Sequence, residues 1–269
     1  MVKLIISFNG TEYSDSLERF IAHHNPHGLI IFSKNIESKE KFKTLLKDIK
    51  ASFPNIVFYI DMEGGLVNRF RKIEGDFPLP RKESQFKEFG KKIGNLLKFY
   101  GINVNFAPVV DIDYGIRGNG LDFRYLGKTP EEIIVKAGNF LEGLESEGIK
   151  GCLKHYVGLS HAETDSHFGL PFLAEISEMD EKPFKALTDG TRLIMFAHIK
   201  IKNYGISTYS PALVNRVKAF HRGEIVCDDL GMKALGEESL SEKLNKVKRA
   251  GFDYAIATDM ISKDLLVKN

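Results

Sequence analysis

The chain of 269 residues carries 38 Lys and Arg against 36 Asp and Glu, a formal charge of +2. This balance excludes nucleic-acid-binding and polybasic membrane proteins, which need a strongly basic surface. Hydrophobic residues make up 43% of the chain and prolines number only 9, which excludes intrinsic disorder and collagen-like structure. Since no linker-like stretch divides the sequence, we predict one catalytic domain over residues 1–269.

No apolar run approaches the roughly 20 residues that a membrane-spanning helix needs. Lys3 is followed by only three apolar residues, Leu4 to Ile6, so a secretory signal peptide is not predicted either, and we expect a cytoplasmic protein. The two cysteines, Cys152 and Cys227, lie in apolar runs without CxxC spacing. This pattern indicates buried thiols rather than a disulfide framework or a zinc finger.

Eight short apolar runs typical of buried strands alternate with segments of helical periodicity, such as residues 39–51 and 131–147. Ser38, Thr129 and Ser239 stand where helix N-caps are expected. The eight predicted strands are Val2 to Phe8, Gly28 to Ser33, Asn55 to Asp61, Asn103 to Val109, Lys150 to His155, Arg192 to His198, Glu224 to Asp228 and Asp253 to Ala257.

Strands that are almost wholly apolar, each followed by a helix, indicate parallel pairing with both sheet faces covered. Eight such units predict a single (β/α)8 TIM-type barrel, in preference to a doubly wound open sheet. Only residues 258–269 follow the last predicted strand. We therefore expect the last helix to be truncated or missing.

Polar side chains end five successive predicted strands: Asp61, Asp111, the pair Lys154 and His155, His198, and Asp228. Any one of them is an ordinary turn or cap residue, but five in succession indicate a site at the end of the barrel where functional loops gather. Carboxylates and cations together suit a substrate rich in hydroxyl groups. The long polar loop 156–170 after the fifth strand, with Asp165, His161 and His167, is predicted to be a lid.

Six segments carry a family resemblance: GLIIF at 28–32, DMEGGLVNRF at 61–70, NFAPVVD at 105–111, KH at 154–155, DSH at 165–167 and CDDLGM at 227–232. The chain resembles glycoside hydrolase family 3, and within it the single-domain β-N-acetylglucosaminidases of bacterial cell-wall recycling. The resemblance runs in register from about Leu4 to Thr258. It implies a TIM-type barrel, a retaining mechanism, and neither a metal nor another cofactor.

Matched position by position, the resemblance implies that Asp228 is the catalytic nucleophile, His167 the acid/base and Asp165 the partner of His167. This fits the chemistry, because a retaining glycosidase needs a fixed nucleophile and a second group that first donates and then accepts a proton. For His198 the resemblance leaves either a substrate contact or packing beneath the site. The implied substrate-binding residues are Asp61, Arg69, Arg124, Lys154, His155, His198 and Met232.

The sequence departs from the family pattern mainly in the run after Lys154 and His155. Val157 replaces a proline, Leu159 a histidine and Ser160 a glycine, and His161 either compensates for the lost histidine or belongs to a differently placed loop. Near the nucleophile, Cys227 and Gly231 each replace a serine. These changes leave the implied catalytic residues in place.

We therefore predict a retaining β-N-acetylglucosaminidase that releases terminal β-linked N-acetylglucosamine from muropeptide or chitooligosaccharide fragments. Its expected partner is a small carbohydrate, without nucleic acid or membrane, and the expected state is a monomer or weak homodimer. A β-glucosidase or a phosphorolytic relative on the same fold stays open, and so does a non-catalytic sugar-binding homologue. A metal-dependent barrel hydrolase is the remaining alternative, with His155, His161, His167, His198 and Asp228 as ligands.

Overall fold

The structure, a computed structural model, describes residues 2–162 and 165–258. Strands and helices alternate through most of this chain, as the apolar pattern predicts. The strands are β1 (Lys3–Ile6), β2 (Gly28–Ile31), β3 (Val57–Ile60), β4 (Val104–Asn105), β5 (Cys152–Tyr156), β6 (Phe172–Leu173), β7 (Leu193–Phe196), β8 (Lys200–Ile201), β9 (Gly205–Ile206), β10 (Ile225–Cys227) and β11 (Tyr254–Ala257). The helices are α1 (Asp15–His24), α2 (Lys39–Ser52), α3 (Arg71–Glu74), α4 (Phe86–Tyr100), α5 (Pro130–Ser146), α6 (Glu178–Leu187), α7 (Pro211–Lys218) and α8 (Leu240–Ala250).

Eight of the strands form one parallel sheet in the order β4-β3-β2-β1-β11-β10-β7-β5. Its two edge segments meet through parallel bridges that pair Val104 with Lys150 and Val109 with Lys154. The Cys152 amide also donates to the Ala107 carbonyl at 2.9 Å. These contacts close the sheet into a barrel, so the TIM-type prediction is confirmed and the open doubly wound sheet is wrong.

The three predicted N-cap residues each cap a helix in the structure. The Ser38 hydroxyl accepts a hydrogen bond from the Lys41 amide, and Thr129 caps α5 directly before Pro130. Ser239 forms the predicted capping box with Glu242 at the start of α8. The prediction that the last helix is truncated or missing concerns residues 259–269, which lie outside the described residues.

Two apolar layers pack on the two sides of the barrel wall, because successive side chains of a strand point to opposite faces. Ile5, Ile30 and Met195 belong to the cluster inside the barrel, whereas Ile6 and Leu29 pack in the cluster beneath the helices. Cys152 and Cys227 are both buried free thiols, as predicted. Burial raises the pKa of each thiol above its ordinary value.

A small second sheet, β6-β8-β9, lies beyond the C-terminal ends of the barrel strands. In it Phe172 pairs with Lys200 and Leu173 with Ile201, which ties the segment after β5 to the segment after β7. Within 2–162 and 165–258, no helix combines the length and the apolar character needed to cross a membrane.

Candidate active site

A cavity of about 190 Å³ opens at the C-terminal ends of the barrel strands. Of the ten predicted site residues, only Asp165 and His198 do not line it. Glu63 and Asp229, which we had not assigned as site residues although both lie in the resemblance segments, line it as well. The predicted residues in the wall are Asp61, Arg69, Arg124, Lys154, His155, His167, Asp228 and Met232.

Two larger clefts, of about 710 and 530 Å³, lie at the opposite end of the barrel. Their walls include residues that precede strands, such as His27 before β2 and Glu224 before β10. In parallel α/β barrels that end serves stability, whereas catalytic groups collect at the C-terminal ends of the strands. The smaller cavity is therefore the candidate active site.

A chain of alternating charges forms one wall of this cavity. The Lys154 ammonium lies 2.7 Å from Asp61 Oδ1 and 2.7 Å from Glu63 Oε1, and its side chain is only 2% exposed. Arg124 donates through Nε and Nη2 to the two Glu63 oxygens, at 3.0 and 2.8 Å. Arg69 Nη2 lies 3.5 Å from Asp61 Oδ2. Buried charges are tolerated when they are paired in this way.

The charges within this wall control its protonation. Burial alone would raise the pKa of Asp61 and of Glu63, but the adjacent Lys154 ammonium and the two arginines outweigh it and lower both. For Lys154, burial acts to lower the pKa, and the two carboxylates reverse that effect and raise it. The carboxylates therefore stay ionised at neutral pH and can accept hydrogen bonds from hydroxyl groups.

His155 is oriented by Asp111 behind it. One Asp111 oxygen accepts from both the backbone amide and Nδ1 of His155, each at 2.9 Å. Because a carboxylate only accepts, Nδ1 carries the proton, and Nε2 is the ring nitrogen left for a ligand. A neutral His155 can then accept a hydrogen bond from a substrate hydroxyl at Nε2.

Asp228 follows β10 directly, and its Oδ1 accepts from the Asp229 amide at 2.8 Å. The Asp229 carboxylate is held in turn by the amides of Gly231 and Thr258, both at 3.0 Å, and by the Thr258 hydroxyl. Burial raises the pKa of Asp229. These contacts fix the backbone that carries Asp228.

His198 is fully buried and lies outside the cavity wall. Its Nε2 donates to the Asp229 carbonyl at 2.9 Å, and its Nδ1 lies 2.6 Å from the Thr208 hydroxyl. Burial lowers the pKa of His198, which keeps the ring neutral. Of the two roles left open by the sequence, packing beneath the site is the one that this geometry supports.

His167 and Asp165 form a hydrogen-bonded dyad on the loop after β5. His167 Nδ1 lies 2.8 Å from Asp165 Oδ1, which also accepts from the His167 amide at 2.9 Å. The His167 side chain is 63% exposed, so its ring can reach solvent and ligand. Gly120 approaches the dyad so closely that a Cβ there would lie 2.9 Å from the Asp165 carboxylate.

His161, considered above as a replacement for the lost family histidine, does not line the cavity. It ends a 3₁₀ turn, Leu159–His161, and pairs with Asp180 of α6. Among the described residues, no group of three or more His, Cys, Asp or Glu side chains is arranged to hold a metal ion. Two of the five candidate metal ligands lie outside the cavity wall and have other partners: His161 pairs with Asp180, and His198 contacts Thr208 and the Asp229 carbonyl.

The sequence matches the model of the glycosyl hydrolase family 3 N-terminal domain over residues 3–266. The chain belongs to glycosyl hydrolase family 3. It is 31% identical to a β-hexosaminidase of Neisseria meningitidis serogroup B over 259 residues, which are 85% of this chain and 70% of the relative. A β-hexosaminidase of Idiomarina loihiensis is 29% identical over an alignment that covers 95% of this chain and 83% of that relative.

Solved structures of the family agree with the fold. Native NagZ from Neisseria gonorrhoeae superposes with a TM-score of 0.86 at 25% identity, over 97% of this chain and 83% of that chain. A family 3 β-N-acetylglucosaminidase from Paenibacillus reaches a TM-score of 0.90 at 23% identity. The superposition covers 97% of this chain but only 54% of the longer Paenibacillus protein. The family membership makes this chain a glycoside hydrolase and confirms the resemblance found in the sequence.

Proposed function

We propose that this glycoside hydrolase is a retaining β-N-acetylglucosaminidase that acts on terminal β-linked N-acetylglucosamine of muropeptide or chitooligosaccharide fragments. The observation that carries the proposal is that Asp228, on a strand end, and His167, on a separate loop, line one cavity with the charged wall around Lys154. The β-hexosaminidases of Neisseria and Idiomarina are the named relatives that support this choice of sugar.

In the proposed first step the Asp228 carboxylate attacks the anomeric carbon, while protonated His167 gives its proton to the departing glycosidic oxygen. The carbon–oxygen bond to the leaving group breaks as the glycosyl–Asp228 ester forms. In the second step neutral His167 takes a proton from water as the water oxygen attacks the anomeric carbon. The ester bond to Asp228 breaks, and the Asp228 carboxylate is released. Asp165 orients the His167 ring through Nδ1, so Nε2 carries the transferred proton.

The charged wall serves recognition in this scheme. Asp61 and Glu63 accept hydrogen bonds from sugar hydroxyls, and the cations between them donate. Because the wall is already ionised and paired before substrate binds, it needs little reorganisation as charge develops on the sugar ring.

The choice of sugar is tested with two aryl glycosides that share a leaving group. We expect kcat/KM for the N-acetyl-β-glucosaminide to exceed that for the β-glucoside by at least about 100-fold, because a site that hydrogen-bonds a substrate group can reject an analogue lacking that group by up to about 10⁴- to 10⁵-fold. Initial rates at matched protein concentration provide the measurement. A preference for the glucoside would contradict the assigned sugar while leaving the two-step mechanism standing.

The role of His167 predicts a dependence on the leaving group. His167→Ala should lower kcat by about 100-fold or more for a sugar leaving group, which must be protonated, and much less for an activated aryl leaving group. His23→Ala, an exposed histidine on α1, is the matched control and should leave both rates unchanged. Equal losses of the His167→Ala variant on both substrates would argue against the acid/base assignment.

A further inference from the structure

Three side chains from separate elements meet at the base of the loop that carries the dyad. His161 Nε2 lies 2.9 Å from Asp180 Oδ2, and the Tyr114 hydroxyl donates to Asp180 Oδ1 at 3.0 Å. The Tyr114 and His161 rings stack with their centroids 4.3 Å apart. We call Tyr114, His161 and Asp180 the loop-base cluster. None of the three lines the active-site cavity.

The position of the cluster along the chain gives it a consequence for catalysis. His161 ends the 3₁₀ turn four residues before Asp165. Asp180 lies in the first turn of α6, the helix that follows the dyad-bearing segment along the chain. The contact between them therefore joins the two ends of the segment that carries Asp165 and His167. Tyr114 adds a support from the loop between β4 and α5.

Asp180 is the buried member of the cluster, whereas His161 and Tyr114 cover it from the surface with about a third of each side chain exposed. Asp180 is only 5% exposed, and each of its carboxylate oxygens has a protein donor. The hydrogen bond to Asp180 raises the pKa of His161 against the lowering effect of burial. Removing the His161 ring would leave one buried carboxylate oxygen without its partner, which is costly in a protein interior.

We propose that His161 and Asp180 are positioning residues that act through His167, by holding together the two ends of the dyad-bearing segment. The inference rests on the proposed function for the role of His167. Tying the two ends of a segment together reduces the number of conformations open to it. A proton donor that is misplaced by about 1 Å can cost roughly 100-fold in rate. Among the residues described on either side of 163–164, further contacts of the segment include the hydrogen bond from the Ala234 amide to the Ser166 carbonyl, the contact of the Lys233 ammonium with the Phe168 ring and the β6–β8 pairing.

The first test compares His161→Ala with the conservative His161→Gln, whose amide can still donate to Asp180. For a substrate with a sugar leaving group, we expect His161→Ala to lower kcat about 10- to 100-fold with little change in KM. For the activated aryl substrate, whose leaving group needs less proton donation, kcat should fall far less. His161→Gln should recover most of the lost rate, and His23→Ala should behave as wild type. Equal losses on both substrates, or no loss, would overturn the proposal.

A second variant establishes whether the effect passes through His167. In a His161→Ala/His167→Ala double variant, we expect kcat to match that of His167→Ala alone, because a donor that is absent cannot be misplaced. Multiplicative losses would contradict a positioning role. Tyr114→Phe, which removes only the hydroxyl, should reproduce the leaving-group pattern with about a 3-fold loss and is least disruptive to folding.

Hydrogen exchange separates this inference from the proposed function. His161→Ala should raise amide exchange in residues 165–177 of the whole protein, while the barrel strands keep wild-type protection. That result would support the cluster's structural role even if the wild-type enzyme failed on N-acetylglucosaminides. Unchanged exchange in 165–177 would overturn the proposal even with wild-type activity as expected.

Discussion

Asp228→Ala should lower kcat by at least about 1,000-fold on an aryl N-acetyl-β-glucosaminide, equivalent to roughly 4 kcal/mol of lost transition-state stabilisation. The reason is that Asp228 is the proposed nucleophile that forms the glycosyl ester, and the carboxylate of the neighbouring Asp229 is already engaged by the amides of Gly231 and Thr258. The measurement is single-substrate kinetics at saturating substrate. Turnover within 10-fold of wild type would contradict the assignment of Asp228.

A loss of activity through misfolding is distinguished by stability and by binding. Asp228 is partly exposed, and within residues 2–162 and 165–258 its carboxylate accepts a hydrogen bond only from the adjacent Asp229 amide, so the variant should unfold at nearly the wild-type temperature. Because the charged wall around Lys154 is the proposed sugar-binding surface, calorimetry should show N-acetylglucosamine binding to Asp228→Ala with little change in affinity. Asp76→Asn, an exposed carboxylate paired with Arg71, is the control for a general charge effect.

The second large effect is expected on stability. Lys154→Met should destabilise the protein by about 3 to 5 kcal/mol at neutral pH, because it removes the ammonium that lies between the buried Glu63 and the partly buried Asp61. Activity should fall as well, since the same charges are proposed to bind the sugar hydroxyls. Urea unfolding followed by fluorescence or circular dichroism provides the measurement.

The pH dependence of this effect follows from the lowered pKa values of Asp61 and Glu63. A carboxyl whose pKa is lower in the folded than in the unfolded protein contributes stability above its unfolded pKa, and the contribution is lost as the pH falls through the folded value. In Lys154→Met the two carboxyls lose the cation with the largest lowering effect on their pKa values, while Arg69 still faces Asp61 and Arg124 still faces Glu63. The difference between the variant and wild type should therefore shrink below about pH 4, where both groups can protonate.

Lys41 offers a matched control, because it too pairs with two carboxylates, Glu12 and Glu37, both at 2.9 Å. It differs from Lys154 in being on the surface, with its side chain 45% exposed. Lys41→Met should hardly change the urea midpoint at any pH, since solvent screens exposed pairs. A Lys154→Met protein as stable as Lys41→Met would show that the buried wall is not held by its charges.

The barrel was predictable from the sequence because parallel barrel strands are buried on both faces and appear as apolar runs. All eight predicted strands are present, although each is shorter than its apolar run or is displaced by a residue; Val2 to Phe8, for example, contains β1 at Lys3–Ile6. The strands β6, β8 and β9 were missed, because two residues carry no periodicity. Their pairing depends on contacts between distant loops.

The site was predictable to the extent that strand ends meet at one rim. The sequence predicted Lys154 and Asp61 as substrate-binding residues, and both line the cavity, but it did not indicate that Glu63 bridges Lys154 and Arg124. Nor did it indicate the pairing of His161 with Asp180, which are 19 residues apart. These side-chain contacts depend on how loops pack after the barrel has formed, and no local sequence signal encodes that packing.

The central claim is that Asp228 forms a covalent bond to the sugar in one cavity with His167. It is tested most directly with a 5-fluoro N-acetylglucosaminyl fluoride, whose ring fluorine slows both steps while its good leaving group favours the first. We predict that intact-protein mass spectrometry shows one added glycosyl group, and that peptide mapping places it on Asp228. Rapid inactivation with the label on another side chain, or hydrolysis of β-N-acetylglucosaminides with inversion at the anomeric carbon, would contradict the account.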